Sequence, residues 1–252
     1  MGGRVSEWLL GCTAALALAF AIPATAAEVQ VAVAANFTEP AKEIASAFEA
    51  RTHDHVALSF GSSGQFYTQI ANGAPFEVFL SADAERPAQA EKEGLAVPGT
   101  RFTYAVGRLV LFSKTAGLVD GRGAVLKSGK FEKLSIADPA LAPYGAAAVQ
   151  TMTRLGVYDA IKPKLVTGSS INQAYQFVDS GAAELGFVAL SQVIAQPGGS
   201  RWVVPEADHA PILQQAVLLK TGEADRAARA FLAFLKGPEA RRIIRRFGYG
   251  TN

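Results

Sequence analysis

Short runs of β-branched and apolar residues alternate with amphipathic helical stretches from Val29 onward, and the alternation starts twice. Strands that hand over repeatedly to helices predict α/β sheets whose helices cover both faces. The first series begins with the strand 29–34, followed by a helix with Ala41, Ile44, Ala45 and Phe48 on one face. It continues through a strand at 56–60, a helix stopped by Asn72-Gly73, and a strand at 76–80. The second series opens with a strand at 134–137 and a helix beginning at Pro143-Tyr144-Gly145. A strand at 164–166, a helix at 171–178 and a strand at 185–190 follow. Two closing helices span 224–235 and 238–247. Thr38 and Asp83 are the expected N-caps of their helices, and the Gly-rich stretch 117–129 reads as a loop.

A series that restarts predicts two lobes, each a mixed sheet flanked by helices. The extended stretch 101–113, interrupted by Gly107, and the return strand 215–219 are the natural crossings. They divide the chain into 28–106 plus 215–252 for one lobe and 107–214 for the other. In open α/β sheets ligands bind beyond the carboxyl ends of the strands, so two lobes facing each other make a cleft there.

Residues 1–27 have a different character. Arg4 precedes an apolar run from 9 to 22, and Pro23-Ala24-Thr25-Ala26-Ala27 supplies the small residues of a cleavage site. This is a secretory signal peptide. The run is short for a membrane span, and cleavage after Ala26 or Ala27 removes Cys12, the only cysteine. Cys12 stands before most of the apolar run, which argues against lipid attachment. The mature chain is therefore expected in the periplasm, soluble, monomeric and without disulfides. With 24 Lys+Arg against 22 Asp+Glu the net charge is only +2, so nucleic acid is not an expected partner.

Four strand-to-helix junctions carry small or polar donors: Asn36, Ser62/Ser63 within Gly61-Ser62-Ser63-Gly64, Tyr144/Gly145, and Ser169/Ser170 before Ile171. Helix N-termini present N–H groups without intrahelical partners and a partial positive charge. Serine adds hydroxyl donors, and glycine lets an anion approach the backbone. No Lys or Arg lies within these junctions. A cleft built from them suits a desolvated anion held by neutral dipoles. Each junction taken alone is an ordinary helix start; their recurrence in both series is what points to a site.

Catalytic signals are weak. The three histidines are His53, His55 and His209. His53-Asp54-His55 reads as a solvated turn where a strand begins, and His209 reads as surface. Gly61-Ser62-Ser63-Gly64 is not a nucleophile elbow, and no nucleotide-binding glycine motif stands at a strand end. Arg241, Arg242, Arg245 and Arg246 form the solvated face of an amphipathic helix.

The motifs resemble those of the periplasmic molybdate-binding proteins of ABC importers, of the type II periplasmic-binding-protein fold. The matching stretches are 31–38, 61–64, 72–83, 142–145, 185–190 and 234–240, in family order over essentially the whole mature chain. The resemblance implies that molybdate or tungstate is held between the lobes and delivered to a membrane permease, with no further cofactor. It places Asn36, Ser63 with Ser62 beside it, Tyr144 and the Ile171 backbone N–H around the anion. Some members carry a tyrosine hydroxyl where this chain has Ala189, and Tyr144 is then expected to supply that donor from another loop. A rigid donor shell sized for molybdate leaves the smaller sulfate with stretched hydrogen bonds. Two alternatives stay open: a receptor for sulfate, phosphate or another anion on the same fold, and a secreted serine hydrolase using Ser62 or Ser63. A sensory ligand-binding domain is a further reading, and it requires a separate signalling partner.

Overall fold

The computed structural model describes residues 27–251; the expected signal peptide lies outside them except for Ala27. The strands in chain order are β1 (Glu28–Ala34), β2 (His55–Gly61), β3 (Val78–Leu80), β4 (Phe102–Gly107), β5 (Leu109–Ser113), β6 (Leu134–Ala137), β7 (Leu165–Gly168), β8 (Leu185–Ala189), β9 (Ser200–Val203) and β10 (Ile212–Leu218). The helices are α1 (Thr38–Thr52), α2 (Ser63–Ala71), α3 (Glu85–Lys92), α4 (Ala124–Ser128), α5 (Pro143–Arg154), α6 (Tyr158–Ile161), α7 (Ile171–Asp179), α8 (Leu190–Val193), α9 (Arg226–Leu235) and α10 (Pro238–Arg246). Among the described residues no helix is long and apolar enough to cross a membrane.

The strands form two five-stranded sheets of one design, β2-β1-β3-β10-β4 and β7-β6-β8-β5-β9. In each, three parallel strands are flanked by two strands in antiparallel pairing. The fourth place in each sheet is filled by a strand arriving from the other lobe: β10 in the first, β5 in the second. The chain thus crosses at Arg108 and again between β9 and β10. Gly107 and Ile212 pair with each other in the first sheet, as do Val106 with Leu213 and Ala105 with Gln214. These four residues, Gly107 and 212–214, had been expected in the second lobe. The strand starts directly after Pro211, which cannot donate to the ladder, and a register shift at Gln214/Gln215 masks its alternation.

Alternation along β1 explains its burial on both faces. Val29, Val31 and Val33 pack with Phe37, Ile44, Phe48 and Phe231, while Ala32 faces Phe66, Phe79 and Val217. The second sheet is covered likewise, with Leu109, Leu134, Ile136 and Phe187 on one side and Val110, Val188 and Val178 on the other. Each such large apolar side chain contributes roughly 1.5–3 kcal/mol on burial. Ala34, Ala35 and Ala82 of the first lobe pack in the same cluster as Tyr144 and Ile171 of the second, so the cores join where the strand ends meet.

Local chemistry sets the helix starts. Ser62 caps α2 with a capping box: its Oγ accepts from Gln65 N at 3.4 Å and Gln65 Oε1 accepts from Ser62 N at 3.3 Å. Ser170 caps α7 by accepting from Gln173 N. Asp83 accepts from Arg86 N at 2.9 Å one residue ahead of the helix boundary. Thr38 is not a cap. A 3-10 turn, Ala35–Phe37, runs straight into α1, and the Thr38 hydroxyl donates back to Ala35 O at 2.7 Å. The stretch read as a loop contains α4 between left-handed Gly123 and Gly129. Asp54 is buried rather than solvated, holding Arg226 Nη2 through both carboxylate oxygens at 3.1 Å.

Gly145 lets α5 approach β6 closely, because a Cβ there would collide with Ala137 O. Gly145→Ala is expected to lower stability by about 1–3 kcal/mol through overpacking and to displace the first turn of α5. Urea denaturation of the variant against the parent measures the loss.

Candidate functional site

The carboxyl ends of β1, β2 and β3 face the first turns of α5 and α7 across a small cavity. The first lobe contributes Ala34, Ala35, Asn36, Gly61, Ser62, Ser63 and Ala82, and the second contributes Ala142, Pro143, Tyr144 and Ile171. Its volume is about 10 Å³, room for little more than one small group and far below the several hundred Å³ usual for organic ligands. Hydrogen bonds that join the lobes around it include Gly64 N to Leu141 O at 2.9 Å, Arg86 Nη2 to Ala140 O at 2.9 Å, Asn172 Nδ2 to Thr38 Oγ1 at 3.2 Å and Ser191 Oγ to Asn36 O at 2.8 Å. A wider groove of about 440 Å³ opens beside it between α1 and α7 and shares Asn36.

All five residues singled out from the sequence, Asn36, Ser62, Ser63, Tyr144 and Ile171, line this one cavity. Each arrives there at an element boundary. Asn36 follows β1, Ser62 and Ser63 open α2, Tyr144 stands in the first turn of α5, and Ile171 begins α7. The Ser63 hydroxyl accepts from Ala82 N at 2.9 Å. A hydroxyl has one proton and two lone pairs, and no acceptor for that proton occurs among the described residues, so it is free to donate. Ser62 likewise accepts from Gln65 N and keeps its proton. Ile171 offers a helix-opening N–H, whose dipole favours negative charge.

Behind the cavity lies a buried polar network. Gln214, fully buried on β10, accepts at Oε1 from Asn36 Nδ2 at 2.9 Å and from Tyr104 OH at 3.0 Å. Its Nε2 donates to Tyr144 OH at 3.1 Å. Tyr249 OH accepts from Asn36 Nδ2 at 3.0 Å and donates to Asn36 O at 2.6 Å. Both hydrogens of the Asn36 side-chain amide are thereby engaged within the network. Burial, reinforced by neighbouring phenols, holds the Tyr144 hydroxyl well above the usual phenol range. Burial does the same for Tyr104 and raises Tyr249. These phenols stay neutral and remain donors at any physiological pH.

No Lys, Arg or His lines the cavity among the described residues. The serines consequently have no general base beside them. His209 is not a surface residue: it is only 9% exposed, with Nδ1 2.7 Å from Ala210 O, yet it stands away from the cavity. Among the described residues no group of three metal-ligating side chains occurs. Ala189 is buried at the end of β8, and its N–H donates to Gln192 Oε1 at 2.9 Å. The residues that sequence reasoning missed are Gln214, Tyr104 and Tyr249. One signal was available for Gln214: an amide at a core-facing position between Ile212 and Ala216.

The family described as bacterial extracellular solute-binding protein matches residues 29–250. The chain is 61% identical over 242 residues to the molybdate-binding protein ModA of Rhodobacter capsulatus, covering 96% of each. The periplasmic molybdate-binding protein of Azotobacter vinelandii superposes with a TM-score of 0.86 at 42% identity, covering 89% of this chain and 99% of that one. The sulfate-binding protein SubI of Mycobacterium tuberculosis shares the fold, with a TM-score of 0.75 at 15% identity over 88% of this chain and 86% of that one.

The raised phenols have a measurable consequence. Unfolded tyrosines ionise near pH 10 while the folded Tyr104, Tyr144 and Tyr249 do not. Their contribution to stability is full below pH ~10 and is lost as pH rises above it. Of the six tyrosines, these three are expected to titrate only as the protein unfolds. Alkaline titration followed at the phenolate absorbance, alongside circular dichroism, checks this.

Proposed function

The chain belongs to the bacterial extracellular solute-binding proteins and, within them, to the periplasmic molybdate-binding proteins; on that premise we propose that it captures molybdate in the periplasm and hands it to the membrane permease of an ABC importer. The observation that carries the reading is the lining of one small cavity by hydroxyl- and N–H-bearing residues from both lobes, with no cation among the residues that line it. Such a lining stabilises a dianion by dipoles aimed at it, with no fixed countercharge to hold it permanently.

The donors are assigned to Ser62 Oγ, Ser63 Oγ, the Tyr144 hydroxyl and the backbone N–H groups of Asn36 and Ile171. Hydrogen bonds to a charged group contribute roughly 1.5–3 kcal/mol each, so five of them support tight binding. Tungstate matches molybdate in charge and size and is bound as well. Sulfate is smaller. In a rigid shell it stretches the same bonds, and each buried donor left unsatisfied costs about 1–3 kcal/mol. Ser62 and Ser63 bind rather than react, because no base stands within the cavity to activate them. The protein works as a monomer, its two lobes closing on the anion by a hinge motion that the permease reads.

Calorimetry of the mature protein with molybdate, tungstate, sulfate and phosphate tests the assignment. Molybdate and tungstate are expected to bind far more tightly than the other two; a preference for sulfate overturns it. Ser63→Ala is expected to weaken molybdate about ten-fold or more, the equivalent of one charge-assisted hydrogen bond, while the unliganded protein melts as before. Unchanged affinity in that variant removes Ser63 from the site.

A further inference from the structure

Gln214 connects two groups that belong to different lobes. Asn36 follows the first strand of one lobe, Tyr144 opens a helix of the other, and the Gln214 amide bonds to both at 2.9 and 3.1 Å. We propose that Gln214 is a positioning residue for anion capture: by donating to the Tyr144 oxygen while accepting from the Asn36 amide, it sets the direction in which the Tyr144 proton is offered to the anion. The proposal rests on the molybdate reading of the cavity.

The hydrogen-bond directions carry the argument. Gln214 Oε1 accepts from Asn36 and Tyr104, which leaves Nε2 as the group facing Tyr144. An N–H directed at a phenol oxygen occupies one of its lone pairs, so the phenol proton must point elsewhere. Its remaining acceptors are the neighbouring Tyr249 oxygen and an anion in the cavity. The anion takes the proton, since a charge-assisted bond is roughly twice as strong as a neutral one. With the amide reversed, the proton would be drawn toward Gln214 and a lone pair would face the anion.

Two features of the backbone serve this one contact. The ladder between β10 and β4 shifts register between Gln214 and Gln215, an irregularity of the kind that re-aims a side chain. Across that ladder stands Gly107, where a Cβ would lie 2.7 Å from Gln214 Nε2 and collide with the Tyr144 hydroxyl. Gly107 has no left-handed φ to explain it. The missing side chain makes room for the amide and the phenol to meet. Both features lie where the chain passes between the lobes, so the contact forms at the crossing itself.

The test compares molybdate and sulfate affinities of the mature protein by calorimetry in four variants: Gln214→Met, Gly107→Ala, Tyr144→Phe, and the double variant Gln214→Met with Tyr144→Phe. Gln214→Met and Gly107→Ala disturb the same contact from its two sides, so either one carries the comparison if the other fails to fold. Each is expected to weaken molybdate about ten-fold or more and to narrow the molybdate-over-sulfate ratio. A role in folding alone would lower the melting temperature and leave that ratio unchanged, which overturns the proposal. In the Tyr144→Phe background, Gln214→Met is expected to add under about three-fold, because both act through one proton. Losses that multiply in full reject it. Loss of molybdate in Ser63→Ala with none in Gln214→Met or Gly107→Ala rejects this inference alone. A parent protein that ignores molybdate rejects the site reading as well.

Discussion

The interior boundary between the lobes is polar, and that constraint governs the rest of the structure. An amide on β10, an amide after β1 and three phenols share one buried network. A buried polar group without a partner costs roughly 1–3 kcal/mol by mutational measure. Every member of this network therefore depends on the others holding position. Small residues around it, Ala34, Ala35, Ala82 and Gly107, leave the room it needs. Leaving the Tyr104, Tyr144 and Gln214 polar atoms unpaired would oppose folding; satisfied by one another, they make the boundary specific.

The same network backs a cavity whose lining residues include no cation. Phenols are neutral at physiological pH in any case, and burial here lifts their ionisation further. The helices that open at Ser63 and Ile171 bring their first residues to the cavity from opposite lobes. Dipoles fixed in place in this way cost no reorganisation when the ligand arrives. A guanidinium at the same spot would bind sulfate and molybdate by charge alone. Donors at fixed distances discriminate by size.

Much of the fold was legible in the residues. Strands from β1 to β8 are short apolar runs, and caps such as Ser62 and Ser170 announce themselves by composition. Asn36, Ser62, Ser63 and Tyr144 are legible because they stand at strand-to-helix junctions, whereas the choice of Ile171 rests on the family resemblance. Gln214, Tyr104 and Tyr249 are less so. Tyr104 lies in mid-strand and Tyr249 near the end of the chain, where an isolated Tyr carries no polar signal, and Gln214 shows only as an amide at a core-facing strand position. Asp54 and His209 differ from their reading for a related reason: polar residues in short connecting segments read as solvated, whereas Asp54 bonds to Arg226 and His209 is buried within the second crossing segment.

Local sequence determined the elements, their order and the neutral character of the junctions, because propensity, capping and donor type are properties of neighbouring residues. It also determined that the series starts twice, and hence that there are two sheets. Tertiary structure alone decided which residues more than a hundred positions apart share hydrogen bonds, as Asn36 and Gln214 do. It decided, too, that the Asn36 side-chain amide is held by Gln214 and Tyr249. Those outcomes follow from pairing β10 with strands laid down much earlier in the chain, and long-range pairing leaves no local trace in the residues that make it.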